Sequence, residues 1–351
     1  MNALLPRLVA DPSFAAGALL LLKVTLALAA ASVLALLLRR RSAALRHDLW
    51  SSALVAALVL ALLAPLVPAI ELAWLPASTL AMRTPAEPQS AEAAPPAAAL
   101  PPAAGNQAPA TAPATVAQGT SAPSAPAIAP PRRLPAPRLA TLFWMIGAAL
   151  VLLRCALGHF GLRRLAAGAR PLDGGDWPAL LAETSARAGV QRPVRLVASA
   201  AVSTPVTWGA RQPVVVLPAD AERWPAERRR AALLHELAHV ARGDYLAQLF
   251  GTAACALYWF HPLAWTALRG LRREAERACD DRVLAAGAAP EDYAAQLLEV
   301  ARGAQAARLG GLMPAIGMAR PSTLEGRLLA LLDERVPRRS PSPRARLVAA
   351  A

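Results

Sequence analysis

The sequence predicts an α-helical membrane protein with a cytoplasmic α+β domain. Three apolar runs are each long enough to cross a bilayer, arginines gather at the ends of those runs, and the composition turns globular only from Asp173 onward. Of the 351 residues, 56% are hydrophobic, and the mean hydropathy is positive. Soluble globular chains sit lower on both counts.

The first run, residues 15–38, is interrupted only by Lys23 and ends in Arg39-Arg40-Arg41. A spanning helix needs about 20 residues. The run is too long, and basic on the wrong flank, for a cleaved signal peptide. Lys23 lies roughly 12 Å inside it at 1.5 Å per residue. It reads as snorkelling toward the outer headgroups, with a buried pairing to Glu71 as the alternative. The second run, 49–70, has Trp50 and Trp74 near its ends as interfacial anchors. The third, 139–158, is followed by Arg163-Arg164. Arginine-rich flanks face the cytoplasm, so the N-terminus lies outside and everything beyond residue 160 inside.

The formal charge of +14 is almost wholly arginine, since Lys23 is the only lysine. Its clustering at span ends points to lipid and topology and not to direct nucleic-acid binding. Three cysteines without a CxxC pair exclude a disulfide framework and a structural zinc knot. Residues 75–138 are mostly proline, alanine, serine and threonine. They bury too little to offset ordering entropy and read as a disordered extracytoplasmic loop, a plain spacer, with binding of an external signal as the alternative. The expected organisation is therefore 1–74 with two spans, the 75–138 loop and the 139–158 span. A cytoplasmic domain follows at 159–336, then a basic tail at 337–351 that resembles the start of a fourth span.

Within the domain, Val194–Ala198 and Val214–Leu217 read as short strands, and Thr204 to Gly209 as a strand with a turn. Helix dominates after Pro225. His235-Glu236-Leu237-Ala238-His239 fits H-E-x-x-H on a helix, where positions i and i+4 share a face and both imidazoles can bind one Zn²⁺. Glu236 beside the first ligand is placed to take a proton from a water that the metal activates. That chemistry is a zinc metallopeptidase's. A third ligand is required, and Glu274 to Asp281 is the dense acidic cluster downstream, on a helix expected over Leu271–Ala286 and ended by Gly287. Glu276 and Asp280 are i and i+4, so one can reach the metal while the other hydrogen-bonds a ligand imidazole. Glu274 points elsewhere. Cys279 shares the Glu276 face, as a soft ligand or as a small packing residue. A charged face balanced by Arg272, Arg273 and Arg277 is the plain alternative for the cluster.

Residues 246–268 are apolar and long enough to span, yet a full crossing would put Glu276 about 30 Å from His239. The segment must go in and return, or lie along the inner leaflet, bending at His261-Pro262. His261 then caps the bend, with a role as extra ligand or transition-state donor as the alternative.

These motifs together resemble the BlaR/MecR-type antirepressor membrane metallopeptidases: HELAH, Arg242-Gly243-Asp244, Trp259-Phe260-His261-Pro262-Leu263-Ala264-Trp265, and Glu276 to Asp281. Pro205 to Gly209 and Pro213 to Pro218 add to the resemblance, which covers about residues 140–335. It implies a gluzincin-like fold with His235, His239 and Glu276 as zinc ligands, Glu236 as base and Asp280 behind a ligand. It implies a bacterial inner-membrane location and a cytoplasmic protein substrate, a winged-helix repressor of the BlaI/MecI type. A homodimer is compatible with it. Founding members add an extracellular penicillin-binding sensor with a Ser-x-x-Lys nucleophile, a motif not found in this sequence, so β-lactam sensing is not implied. A quality-control protease resembling HtpX or the CAAX prenyl proteases, and a non-catalytic transducer, are the competing functions. Substrate is expected to add as a strand along Val214, Val215 and Val216, read as an edge strand because prolines bound it, with an ordinary core strand as the alternative.

Overall fold

A computed structural model describes residues 12–64, 136–309 and 321–333. The expected disordered loop, the Trp74 anchor, a Lys23–Glu71 pair and the fourth span lie outside the described residues. Helix α1 (Pro12–Leu37) runs into a 3₁₀ turn at Leu38–Arg40, followed by α2 (Ala43–Leu63) and, after the loop, α3 (Ala136–Ala167). All three are long and apolar enough to cross a membrane. Large apolar side chains such as Leu22, Leu36, Phe143, Leu150 and Leu157 are exposed along α1 and α3, a surface that lipid tails would cover. Inside α1, Thr25 and Ser32 turn their hydroxyls back to Leu21 O and Leu28 O at 2.6 and 2.7 Å, which satisfies them without water.

Each of these helices starts before its expected span. Helix α2 starts at Ala43, so Arg46, His47 and Asp48 belong to its first turns. Helix α3 continues past residue 158 to Ala167, and its end packs Ala166 against Val197 and Val216 of the domain. At 32 residues it measures about 48 Å, more than a bilayer core requires.

The domain opens with β1 (Arg170–Pro171) and α4 (Trp177–Ala188), then β2 (Arg195–Ser199), β3 (Val206–Trp208) and β4 (Val214–Pro218). Sheet order is β1-β2-β4-β3, with β2 and β4 parallel and the other pairs antiparallel. This corrects the edge-strand expectation for Val214–Val216. Strand β4 lies between β2 and β3, and Val215, Val216 and Leu217 are fully buried. Val215 and Leu217 face α4 and the next helix, while Val216 faces α3. Among the described residues, the free edge on that side is β3.

Helix α5 (Ala226–Arg242) ends at Gly243, whose φ of +72° is a left-handed turn that glycine adopts without penalty. Helix α6 (Asp244–Leu257), a turn at Tyr258–His261 and α7 (Pro262–Ala285) form a hairpin that goes in and returns. Pro262 sits in the first turn of α7, where its missing N–H costs no helical bond, so α7 begins well before the expected Leu271. Indole N–H groups fix the hairpin tip: Trp144 donates to Leu257 O, Trp259 to Trp144 O and Trp265 to Trp259 O, at 2.8–3.2 Å. Helices α8 (Pro290–Leu309) and α9 (Pro321–Leu332) complete the chain.

Trp50 is no interfacial anchor. It is 5% exposed, over Gly270 of α7, where a Cβ would come within 2.7 Å of the indole Cε2. Helices α2 and α7 approach closely because Gly270 has no side chain there. Val24, Leu28, Leu54, Leu268 and Leu271 fill the rest of that core.

Candidate metal centre

Helix α5 is amphipathic in two directions. Leu233, Leu237 and Val240 pack on the sheet, and His235 and His239, one turn apart, face α7 with ring centroids 5.1 Å apart. Helix α7 returns Glu276 to them: Oε2 is 3.6 Å from His235 Nε2, and Oε1 is 3.7 Å from His239 Nε2. All three residues are buried, and their ligand atoms lie within 4.8 Å of one another.

Behind each imidazole stands a carboxylate. His239 Nδ1 is 2.7 Å from Asp244 Oδ2, and His235 Nδ1 is 3.2 Å from Asp280 Oδ1. An ionised carboxylate only accepts, so Nδ1 of each ring is the donor to it, and Nε2 is the atom left facing Glu276. Tyr293 of α8 donates to Asp280 Oδ1 at 2.9 Å and accepts from His235 Nδ1 at 2.9 Å. Arg327 of α9 binds Asp280 through Nε and Nη2 at 2.8 and 2.6 Å and reaches Glu276 Oε2 through Nη1 at 3.0 Å.

The electrostatics follow from burial and these contacts. Burial would raise the Asp280 and Glu276 carboxyls, but the Arg327 guanidinium holds both below their usual values. Burial would likewise raise Asp244, against which the His239 hydrogen bond and the Arg242 charge hold it down. Burial would lower His235, yet Asp280 and Glu276 bring it up to about 9. Both carboxylates behind the imidazoles therefore remain ionised at neutral pH.

Glu236 is 3% exposed, and its Oε2 has no hydrogen-bond partner; the same holds for His239 Nε2. A buried polar atom left unsatisfied costs about 1–3 kcal/mol. A cation among His235 Nε2, His239 Nε2 and Glu276 would satisfy the imidazole, and two nitrogens with one carboxylate match the donor set of a metal site that keeps one position open. The residues present fit such an ion. A cleft lined by Thr204, Pro205, Trp224, Arg228, Gln296 and Leu297 opens onto His235, Glu236 and Glu276.

The other residues singled out from sequence lie elsewhere. Glu274 pairs with Arg46 of α2 at 2.7 Å. Cys279 sits 3.8 Å from Asp244 Oδ2, on the Nδ1 side of His239, and burial pushes its thiol well up. His261 donates through Nε2 to Thr25 Oγ1 at 2.9 Å, about 22 Å along α7 from Glu276. Val214–Val216 are interior to the sheet. Sequence reasoning gave no role to Asp244, Tyr293, Arg327, Arg46 or His47. Only Asp244 carried a local signal, in the Arg242-Gly243-Asp244 turn directly after the histidine helix.

Two helices presenting two imidazoles and a carboxylate, mounted on membrane-length helices, define a chain of the membrane metallopeptidase class. The family described as BlaR1 peptidase M56 matches residues 19–331, and the chain belongs to that family. It is similar to the regulatory protein BlaR1 of Bacillus licheniformis, with 28% identity over 141 residues, 40% of this chain. The match spans 24% of that relative's length.

Proposed function

We propose that this chain is a zinc endopeptidase of the gluzincin type, embedded in the bacterial inner membrane with its peptidase domain in the cytoplasm. Its substrate is a cytoplasmic regulatory protein of the winged-helix repressor class, cleaved in response to a signal. His235, His239 and Glu276 hold the zinc. Once bound, the ion supplies a Lewis acid that polarises the scissile carbonyl and acidifies water. Glu236 takes the proton of the attacking water at its unpartnered Oε2 and passes it to the leaving nitrogen. Asp244 and Asp280 hold the two imidazoles in orientation. Substrate enters along the cleft and adds to the free edge of β3, since Thr204 and Pro205 line that cleft just before the strand.

One observation carries the proposal: both Nε2 atoms converge on Glu276 while both Nδ1 atoms are held by carboxylates. The relative's description as a regulatory protein supports a signalling substrate over general quality control. Purified full-length protein should contain one zinc per chain, which His235→Ala and His239→Ala lose. Glu236→Gln should keep the zinc while cleavage of a co-expressed repressor falls by about 10²–10⁴-fold. Full zinc in both histidine variants, or near-normal cleavage by Glu236→Gln, would refute the site.

A further inference from the structure

The first turns of α2 touch Asp244, which stands behind His239, and Glu274, two residues from Glu276 on α7. His47 Nε2 lies 3.3 Å from Asp244 Oδ1, an electrostatic contact outside hydrogen-bond geometry, and Asp244 Oδ2 holds His239 at 2.7 Å. One residue earlier, Arg46 grips Glu274 Oε2 through Nε and Nη2 at 3.0 and 2.7 Å. Its Nη1 binds the carbonyls of Leu38, Arg39 and Arg41 in the α1–α2 turn. Arg46, His47, Asp244 and Glu274 are all at most 6% exposed.

Helical geometry says what these contacts do. Glu274 and Glu276 are two residues apart, about 200° around α7, so one faces α2 and the other faces the histidines. Helix α7 is thus held between the membrane helix and the metal centre. Asp244 is similarly placed, with one oxygen toward His239 and the other bound by Arg242 and faced by His47 Nε2 at 3.3 Å. No peptidase chemistry needs a membrane-helix side chain here. A buried carboxylate can orient His239 with Arg242 alone, and a lone surface pair would not be buried from both sides.

We infer that His47 is a positioning residue of the metal centre, through which transmembrane helix α2 sets the orientation of His239 by way of Asp244. Arg46 is the companion tie from the same turn to α7. Sliding or rotation of α2 then changes the grip on His239 and Glu276 together, giving the membrane segment a direct mechanical route to the peptidase site. The inference rests on the proposed zinc site and goes beyond it.

The test uses full-length protein in detergent or nanodiscs, loaded with zinc, and follows release of zinc to a chelator. Asparagine at position 47 places its amide near the His Nδ1 position, toward Asp48; glutamine reaches the Nε2 position, toward Asp244. Partners behind a ligand are commonly worth about 10–100-fold in metal affinity. His47→Asn and His47→Ala should therefore release zinc about 10–100-fold faster, while His47→Gln stays close to wild type. Thermal midpoints of the metal-free forms should coincide. Release at the wild-type rate from Asn and Ala overturns the inference, and so does equal acceleration in all three with lowered midpoints, which marks packing only. Wild-type protein that binds no zinc would instead refute the site itself.

Discussion

Arg327 shows what a single buried charge does in this centre. It is 7% exposed, contacts both Asp280 oxygens and reaches Glu276. Removing it leaves two buried carboxylates without their cation, a loss of about 3–5 kcal/mol. Arg327→Met should therefore lower the thermal midpoint of the metal-free protein clearly, and Arg327→Lys should recover only part, since an ammonium cannot span three oxygens as a guanidinium fork does. An unchanged midpoint in the Met variant would show that α9 is not anchored by this network. Arg327 could not be found from the sequence: it is one arginine among many, 47 residues from Asp280. His235, Glu236 and His239 were legible because their spacing lies within one helix. Asp244 was not, because helical spacing places residue i+5 away from His239. Only the left-handed turn at Gly243 folds Asp244 back beneath it.

At the scale of elements, the position of β4 repays closer argument. Prolines at 213 and 218 suggested an edge strand, yet Val214 to Leu217 is an unbroken apolar run. Such runs mark strands buried on both faces, and half-exposed strands alternate. That signal outweighs the prolines, which merely bound β4 without interrupting its ladder. Among the described residues no strand pairs with the outer edge of β3. In an antiparallel pair, alternate residues aim their N–H groups at the partner and away from it, so one of Val206 and Thr207 offers an outward donor. Proline at that position leaves the β3–β4 ladder intact, and cleavage should fall about five- to tenfold, the worth of one hydrogen bond, with zinc content normal. Proline at the other position should instead loosen the fold. If both variants fold, keep zinc and cleave at the wild-type rate, substrate does not dock on β3. The hairpin α6–α7 is legible for a different reason: one metal centre cannot be shared across a bilayer, so the apolar run between its ligands has to return.

For the whole molecule, the packing fixes which helix ends belong together, and the arginines support the proposed cytoplasmic side for them. The α1–α2 turn is tied to the domain through Arg46 and Glu274, and α3 enters the domain directly, with Ala166 against Val197. Both junctions must therefore lie on the same side of the membrane as the metal centre. Arg39, Arg40 and Arg41 flank the first junction and Arg163 and Arg164 the second. Each arginine at a helix centre costs about 2.5–3.5 kcal/mol on insertion scales, and loops rich in arginine are retained in the cytoplasm. The proposed three-span topology has one direct test. A reporter active only in the periplasm should work when fused between residues 90 and 125 and fail when fused at residue 170. A cytoplasmic reporter should give the reverse pattern. Periplasmic activity at 170 would invert every span and move the peptidase domain outside. The buried ties between α2, α3 and the domain would survive that inversion, but a cytoplasmic repressor could not be the substrate.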